Sequence, residues 1–327
     1  YAGFRFGRTE NTGGCREVVL PYMEIAPVVY VGEQDGFYSL NMDRTLSKST
    51  DFDRVGCYES SSVEDSYICY HFSNYEEDSA GKVNPLDETI YLTVSSSIDD
   101  HMLHPGRAKS AYRDVLNEKV VMRQTFNSDI SKDLNNDLKS MGIDDLLIVY
   151  FRWRYYPFDQ GQPKHYPAGP NVGGHDGMID LADHTRSLGY MFALYNCFWF
   201  MDENPSYPLY NPADIAKNPD LSFREGWYSP TFETQHYAIA SDKMMKYAKA
   251  QCPNIESAYN PSAVYIDVNT CANPVEVMNQ LDFDASNPDS RSYMAIVQNN
   301  LDYLDYLRSV YRGPVLGAGS DRPDSLT

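Results

Sequence analysis

Hydrophobic positions follow two different grammars along the chain. Up to about residue 105 they fall in short runs rich in β-branched and aromatic residues, "EVVLPYMEIAPVVYV", "GFYSLNM", "SYICYHF" and "ETIYLTVSSS". Turn-forming clusters such as "EQDG", "EEDSAGK" and "NPLD" separate them. No helical period accompanies these runs, so residues 1–105 are expected to form an antiparallel β-sandwich segment, with its start open to truncation. From about residue 106 the pattern becomes helix–strand alternation. Ile130, Leu134, Leu138 and Met141 make one stripe of a helix that Gly142 stops. "DDLLIVYFRW" follows as a continuous apolar run of the kind buried on both faces.

The theme then repeats. "DGMIDLADHTRSLGY" predicts a helix stopped by Gly189 and followed by the strand "YMFALYNCF". "SDKMMKYAKAQ", with Ser241 as N-cap, precedes the strand "AVYIDV". A last helix carries Val297, Leu301, Leu304 and Leu307 on one face and ends at Gly313-Pro314, before "VLGAG". Such units define a parallel α/β fold. An open doubly wound sheet and a closed (β/α)8 barrel both satisfy the pattern. A nucleotide-binding sheet carries a Gly-rich phosphate loop after its first strand, whereas "RWRYYPFDQGQPKHYPAGPNVGGHDG" contains neither G-x-G-x-x-G nor Walker A. A long aromatic loop at a strand's C-terminal end is where barrels place substrate sites. The expected architecture is therefore an α/β fold with a (β/α)8-type barrel over 106–327, preceded by the β-sandwich segment. About four strands are visible, too few to close a barrel, so another segment or chain is expected to complete the wall.

Charge narrows the function classes. Twenty-seven Lys and Arg against 46 Asp and Glu give a net charge of −19, which disfavours binding to nucleic acid phosphates or to anionic membranes. No apolar run approaches the roughly 18 residues of a membrane span. Tyrosine is abundant, at 27 copies, and suits wet, half-buried surfaces such as sugar clefts, as well as ordinary cores and interfaces. The six cysteines show no zinc-site spacing. Cys57 and Cys69, and at longer range Cys252 and Cys271, frame loops in the manner of an exported, disulfide-bonded protein. The chain begins at Tyr1 without a signal peptide, as a processed or truncated piece would. No cofactor fingerprint is present, and none is expected.

Asp267 is the sharpest chemical candidate. It ends the apolar strand of "VYIDVN", where a carboxylate projects into a barrel mouth as a nucleophile or base. Equally, an aspartate there can cap its own turn, helped by Asn269 and Thr270. Three ring clusters offer subsite walls. The first holds Trp153, Tyr155, Tyr156, Phe158 and Asp159, then His165 and Tyr166. The second is Trp199 and Phe200 with Asp202 and Glu203, and the third is Trp227 and Tyr228 beside Arg224 and Glu225. Tyr195 and Asn196, at the end of the second strand, join Asn269 in the candidate substrate-binding set. Any one of these rings more often packs its own loop. "DFDASNPDS" has a calcium-like order at Asp282, Asp284, Ser286 and Asn287, but lacks the sixth-position Gly and the closing Glu, so it reads as a solvated acidic loop.

Taken in order, "LKSMGIDDLLIVYFRW", "PAGPNVGG", "SLGYMFALYN", "YIDVN" and "GPVLGAGSD" resemble the catalytic barrel of glycoside hydrolase family 101, the endo-α-N-acetylgalactosaminidases, and related uncharacterised glycosidase-like proteins, over roughly residues 106–323. A β-sandwich precedes the barrel in that family. The resemblance implies retaining hydrolysis of an α-glycosidic bond by two carboxylates, with the nucleophile falling on Asp267. It also implies a Glu acid/base near the end of the next strand, where this chain reads Gly317-Ala318-Gly319. Relatives show a His-Asp-Asn-Tyr-like run where this chain has Leu194-Tyr195-Asn196-Cys197. A methyl group at 318 transfers no proton, so activity is expected to be impaired. The Ala is an inactivating substitution, or a natural one in a barrel turned binding module, or Asp321 or Glu233 has taken over the role. The two functional readings are an extracellular retaining glycosidase-like protein acting on α-linked glycans or glycoproteins, and a non-catalytic glycan-binding or structural protein on a degenerate barrel.

Overall fold

The computed structural model describes residues 75–86, 112–156, 160–269 and 280–317, together with the backbone of seven strands between residues 2 and 95. Those strands are β1 (Ala2–Arg5), β2 (Val18–Val19), β3 (Val28–Val31), β4 (Phe37–Asp43), β5 (Gly56–Glu59), β6 (Tyr67–Ser73) and β7 (Thr89–Ser95). They pair antiparallel in two sheets, β1-β6-β5 and β2-β3-β4-β7. The strand-rich reading of this part therefore stands at the level of pairing. How the two sheets face each other lies outside the described residues. In the β5–β6 ladder Cys57 stands directly opposite Cys69.

The second part is built from α1 (Arg113–Asn117), β8 (Val120–Gln124), α2 (Ser128–Ser140), β9 (Leu146–Tyr150), α3 (Gly174–Ser187) and β10 (Met191–Asn196). It continues through β11 (Phe200–Asp202), β12 (Glu225–Ser229), β13 (Thr234–Ala238), α4 (Met244–Tyr259), β14 (Ala263–Ile266), α5 (Tyr293–Tyr311) and β15 (Val315–Gly317). Five strands form one parallel sheet in the order β8-β9-β10-β14-β15. That order never reverses along the chain. A doubly wound sheet reverses at its switch point and carries helices on both faces. Here α2 packs on α3, α3 on α4 and α4 on α5, in the sequence of the strands they follow. The result is a curled half-barrel with one helical layer, and a separate small antiparallel sheet, β11-β13-β12, inserted after β10.

β8 is the strand that the hydrophobic pattern hides. Val120 and Val121 are 63% and 56% exposed on this edge strand, so the segment lacks the continuous apolar run that betrays β9, whose five residues are all buried. The helices occur where expected, but two of their faces are rotated. In α2 the ends of the predicted stripe, Ile130 and Met141, face solvent, and the buried positions are Ser128, Ser131 and Asn135. In α5 Leu301 is exposed, and Ile296, Tyr303, Leu307 and Tyr311 go into the core. Ser241 does not cap α4. It opens a short 3-10 turn, Ser241–Lys243, and its hydroxyl meets Ser290 Oγ at 2.9 Å.

Why α2 buries a polar face follows from a hydrogen-bond hub. Gln124 Nε2 of β8 donates to Asn135 Oδ1 at 2.8 Å, and Asn135 Nδ2 donates to the Tyr150 hydroxyl of β9 at 2.9 Å. That hydroxyl meets Thr185 Oγ1 of α3 at 3.0 Å. One fully buried side chain thus ties two strands to two helices. Asn135→Ala strands the buried Gln124 amide and takes one of two partners from the Tyr150 hydroxyl, and is expected to cost about 1–3 kcal/mol. Thermal or denaturant unfolding reads it, and an unchanged midpoint contradicts the hub.

Residues 75–86 are tied to the loop before α5. Asp78 pairs with Arg291, both nearly buried, Ser79 N donates to Phe283 O at 2.8 Å, and Asn84 Nδ2 donates to Arg291 O at 3.0 Å. The acidic loop at Asp282 is part of the same stitching. Asp282 Oδ1 accepts Lys217 N at 3.1 Å, and Asp284 pairs with Lys217 Nζ at 2.6 Å, which with Ser286 holds its carboxyl down to about 2.

Candidate active site at the ends of the parallel strands

Parallel pairing brings the C-terminal ends of β9, β10 and β14 into line. Leu194 sits opposite Tyr150 and Val264, and Asn196 opposite Ile266, so Asp267 follows one step beyond the last paired row. Alternation then sorts the side chains. Asn196 donates to the Tyr311 hydroxyl of α5 at 3.1 Å, which places it on the helical side of the sheet. Tyr195 and Tyr265, register partners, therefore face the other way, into the half-barrel, and Asp267 follows Tyr265 on that side.

Asp267 is half-buried and held from two directions. The Tyr195 hydroxyl donates to Oδ2 at 2.9 Å, and the Val268 amide donates to Oδ1 at 3.0 Å. The second bond depends on an unusual backbone. Val268, a β-branched residue, has φ +65°, a left-handed conformation that costs on the order of 1–3 kcal/mol and persists only where the surroundings impose it. The Asp267 amide is in turn bound to Asn196 O at 3.2 Å and its carbonyl to Asn269 N at 2.7 Å. One oxygen thus does serve its own bend, and the other is positioned by a phenol from the neighbouring strand. A carboxylate oxygen has two lone-pair sites, so neither bond exhausts it.

The support behind the carboxylate is aromatic, with one buried guanidinium beside it. Phe151 packs against Tyr195 and Tyr265 with ring centroids 4.8 and 5.0 Å away, and Arg154 lies 5.4 Å from the Tyr195 ring. Burial, with Cys197 and Asp267 nearby, raises the Tyr195 phenol well above its ordinary value, so it stays a donor. Burial and the Asp267 charge push the Cys197 thiol up to about 12. Burial and Arg154 drive His165 well below the usual imidazole range, leaving it neutral. The site can therefore present a carboxylate oriented by a neutral phenol and a backbone amide, an arrangement suited to nucleophilic or electrostatic catalysis at a developing positive centre.

The other predicted residues divide sharply. Trp153 and Trp199 have no exposed face. Trp153 Nε1 donates to Tyr195 O at 2.7 Å, so it braces β10 and is no sugar platform. Asn196 and Tyr195 are buried too, the first against α5, the second behind Asp267. Asp202 is buried against His236 Nδ1. Asn269 shapes the Asp267 turn and bonds Asn300 Oδ1 at 2.7 Å. Tyr155, Trp227 and Tyr228 do present exposed rings, and Tyr156 lies between Tyr155, which it meets edge-on, and the tilted ring of Tyr207, at 4.9 and 4.8 Å. Glu233, the alternative acid, sits exposed in the β12–β13 turn. Asp159, Phe158, Ala318 and Asp321 lie outside the described residues.

Two groups were not legible as site residues. Arg154 is buried, and His236 completes the Asp202 pair; His165, placed by the sequence in the first ring cluster, is fully buried. Arg154 stood in the "RWRYYP" run without a marker of burial. His236 becomes a partner of Asp202 only through the β11–β13 register. Among the described residues no cluster of three or more His, Cys, Asp or Glu could hold a metal ion. No helix among them is long and apolar enough to cross a membrane.

No protein-family model and no curated protein matches the chain. Solved structures do. An α-N-acetylgalactosaminidase from Bifidobacterium bifidum aligns with TM-score 0.68 at 12% identity, over 90% of this chain and 52% of that one. An α-galactosidase from Thermus thermophilus, in complex with stachyose, aligns with TM-score 0.53 at 12% identity, over 90% and 55%. A GH36 α-galactosidase from Geobacillus stearothermophilus gives TM-score 0.53 at 12% identity, over 90% and 41%. The chain thus spans about half the length of these enzymes or less. At such identities the likeness shows a fold shared with part of each of these enzymes, and the fold alone.

Proposed function

We propose that the chain is the glycosidase-like part of a protein acting on α-linked galactose- or N-acetylgalactosamine-type glycans, with Asp267 as the nucleophile of a retaining mechanism. The observation that carries this is the Asp267 carboxylate, held by Tyr195 and by the strained Val268 amide at the end of a half-barrel strand. The α-N-acetylgalactosaminidase and α-galactosidase neighbours support the substrate class, and the family 101 likeness of the motifs supports the endo-acting variant. In the covalent step an Asp267 oxygen attacks the anomeric carbon, the C1–O bond to the aglycone breaks, and the leaving oxygen takes a proton. Water then hydrolyses the glycosyl ester. Ala318, one residue past β15, stands at the position inferred for the proton donor, so poor leaving groups leave slowly. Exposed rings at Tyr155, Trp227 and Tyr228 are the subsite walls that remain. The test is covalent labelling of Asp267 by an activated glycoside.

The same Ala318 favours a second reading, a glycan-binding or structural protein without turnover, in which Asp267 serves only to recognise sugar hydroxyls. We place the boundary between a β-sandwich domain and the barrel part near residue 105, with further strands from the same or another chain completing the wall. No nucleic acid partner is proposed, given the acidic chain.

An extracellular location is proposed on the cysteines. Direct opposition across an antiparallel ladder sets Cα atoms about 4.5–5.5 Å apart, within disulfide reach. Mass spectrometry of unreduced peptides is expected to recover Cys57 joined to Cys69. The buried Cys197 and Cys252 are free thiols. Recovery of Cys57 and Cys69 as free thiols from protein secreted by an expression host contradicts the proposal.

A further inference from the structure

We propose that a groove on the inserted β11-β13-β12 sheet is a second saccharide-binding site, taking one neutral pyranose unit. The assignment stands whether or not Asp267 is a nucleophile, because the groove shares no residue with that site. Its floor is Tyr237, the central residue of the sheet, paired to Met201 on one side and Glu225 on the other. The groove is a shallow cleft of about 560 Å³, open to solvent. Phe223 meets the Tyr237 ring edge-on at 5.4 Å, so two rings form an angled apolar wall. Glu203 and Glu225 flank them, and Arg224 enters the same lining.

Chemistry selects the occupant. The Tyr237 hydroxyl donates to Glu203 Oε2 at 3.0 Å, which orients that carboxylate and leaves the phenol oxygen able to accept. Burial first, then this bond and the charges of Glu203 and Glu225, push the Tyr237 phenol up, so it keeps its proton and the groove keeps its acidic character. An anionic ligand meets two carboxylates, Glu203 and Glu225, while the Arg224 guanidinium lies over the Phe283 ring, 5.3 Å from its centroid. A pyranose uses both kinds of wall: its hydroxyls donate to the carboxylates and to the Tyr237 phenol oxygen, and its C–H face lies on an aromatic ring. Glu203 and Glu225 are exposed at the rim, so their replacement need not disturb the fold.

The test is a titration followed through the ring resonances of Tyr237 and Phe223, assigned by substitution. The probes are methyl α-galactopyranoside, methyl α-glucopyranoside and methyl α-mannopyranoside, with N-acetylneuraminic acid and glucosamine as anionic and cationic comparators. At least one neutral glycoside is expected to shift both rings saturably, in the wild type and in Asp267→Asn alike. Glu225→Gln is expected to weaken that binding about tenfold with an unchanged melting temperature, the loss of one charge-assisted hydrogen bond. Absence of any saturable shift with all three neutral probes overturns the proposal, as does equal binding of the anionic sugar. Binding that Glu225→Gln leaves untouched does the same. Failure of Asp267 to become labelled bears on the catalytic reading alone.

Discussion

Incubation with an activated aryl α-galactoside or α-N-acetylgalactosaminide is expected to add a single glycosyl unit to Asp267, and Asp267→Ala is expected to lose that adduct entirely. An aryloxide leaves without protonation, so the first step proceeds even with a methyl group where a proton donor is inferred. The second step, in which water attacks the ester, lacks a base and is slow, so the intermediate accumulates. Peptide mass spectrometry locates it. Loss of a nucleophile in other enzymes lowers turnover by up to about 10⁶-fold, so the variant leaves no ambiguity of degree. The companion substitution Tyr195→Phe removes the 2.9 Å bond to Oδ2 but not the carboxylate, and separates positioning from attack. An unlabelled Asp267 in correctly folded protein, across both aryl glycosides, overturns the hydrolase reading and leaves the binding one.

Why Asp267 could be found in the sequence and its supports could not is a matter of range. A charged residue ending the apolar run "AVYI" breaks a local pattern, and local patterns are what a chain displays. The parallel α/β grammar and the helix stops at Gly142 and Gly189, both at positive φ, are local in the same way. Rings are different. Trp153, Trp199 and Trp227 look alike in sequence, yet the first two brace the sheet from inside and the third is half exposed on β12. Nothing within a few residues separates these fates, because each is decided by packing between distant elements. The α2 face shows the limit most clearly. Counting apolar residues chose Ile130 and Met141, whereas the helix turned Asn135 inward because Gln124, Tyr150 and Thr185 could satisfy it there. The left-handed Val268 carries no sequence mark at all, since valine is among the residues least suited to that conformation.

Ala318→Glu is the second large effect expected. A carboxylic acid poised at the leaving oxygen contributes about 10²–10⁴-fold in general acid–base catalysis, and the gain should depend on the leaving group. For an aryl glycoside the first step barely changes, but release of the Asp267 ester quickens and the adduct no longer accumulates. For a natural glycan, whose alkoxide leaving group needs a proton, turnover should rise by the full factor. Ala318→Gln supplies nearly the same volume without a transferable proton and separates chemistry from packing. Recovery with Glu and not with Gln identifies position 318 as the partner of Asp267 and makes the chain a glycosidase lacking one carboxylate. No recovery with either, in protein whose Asp267 still accepts the label, rules out position 318 as the acid/base and directs the search to another carboxylate. No recovery together with no label points instead to a barrel that binds glycans without cleaving them, and the groove over Tyr237 then becomes its main point of contact with sugar.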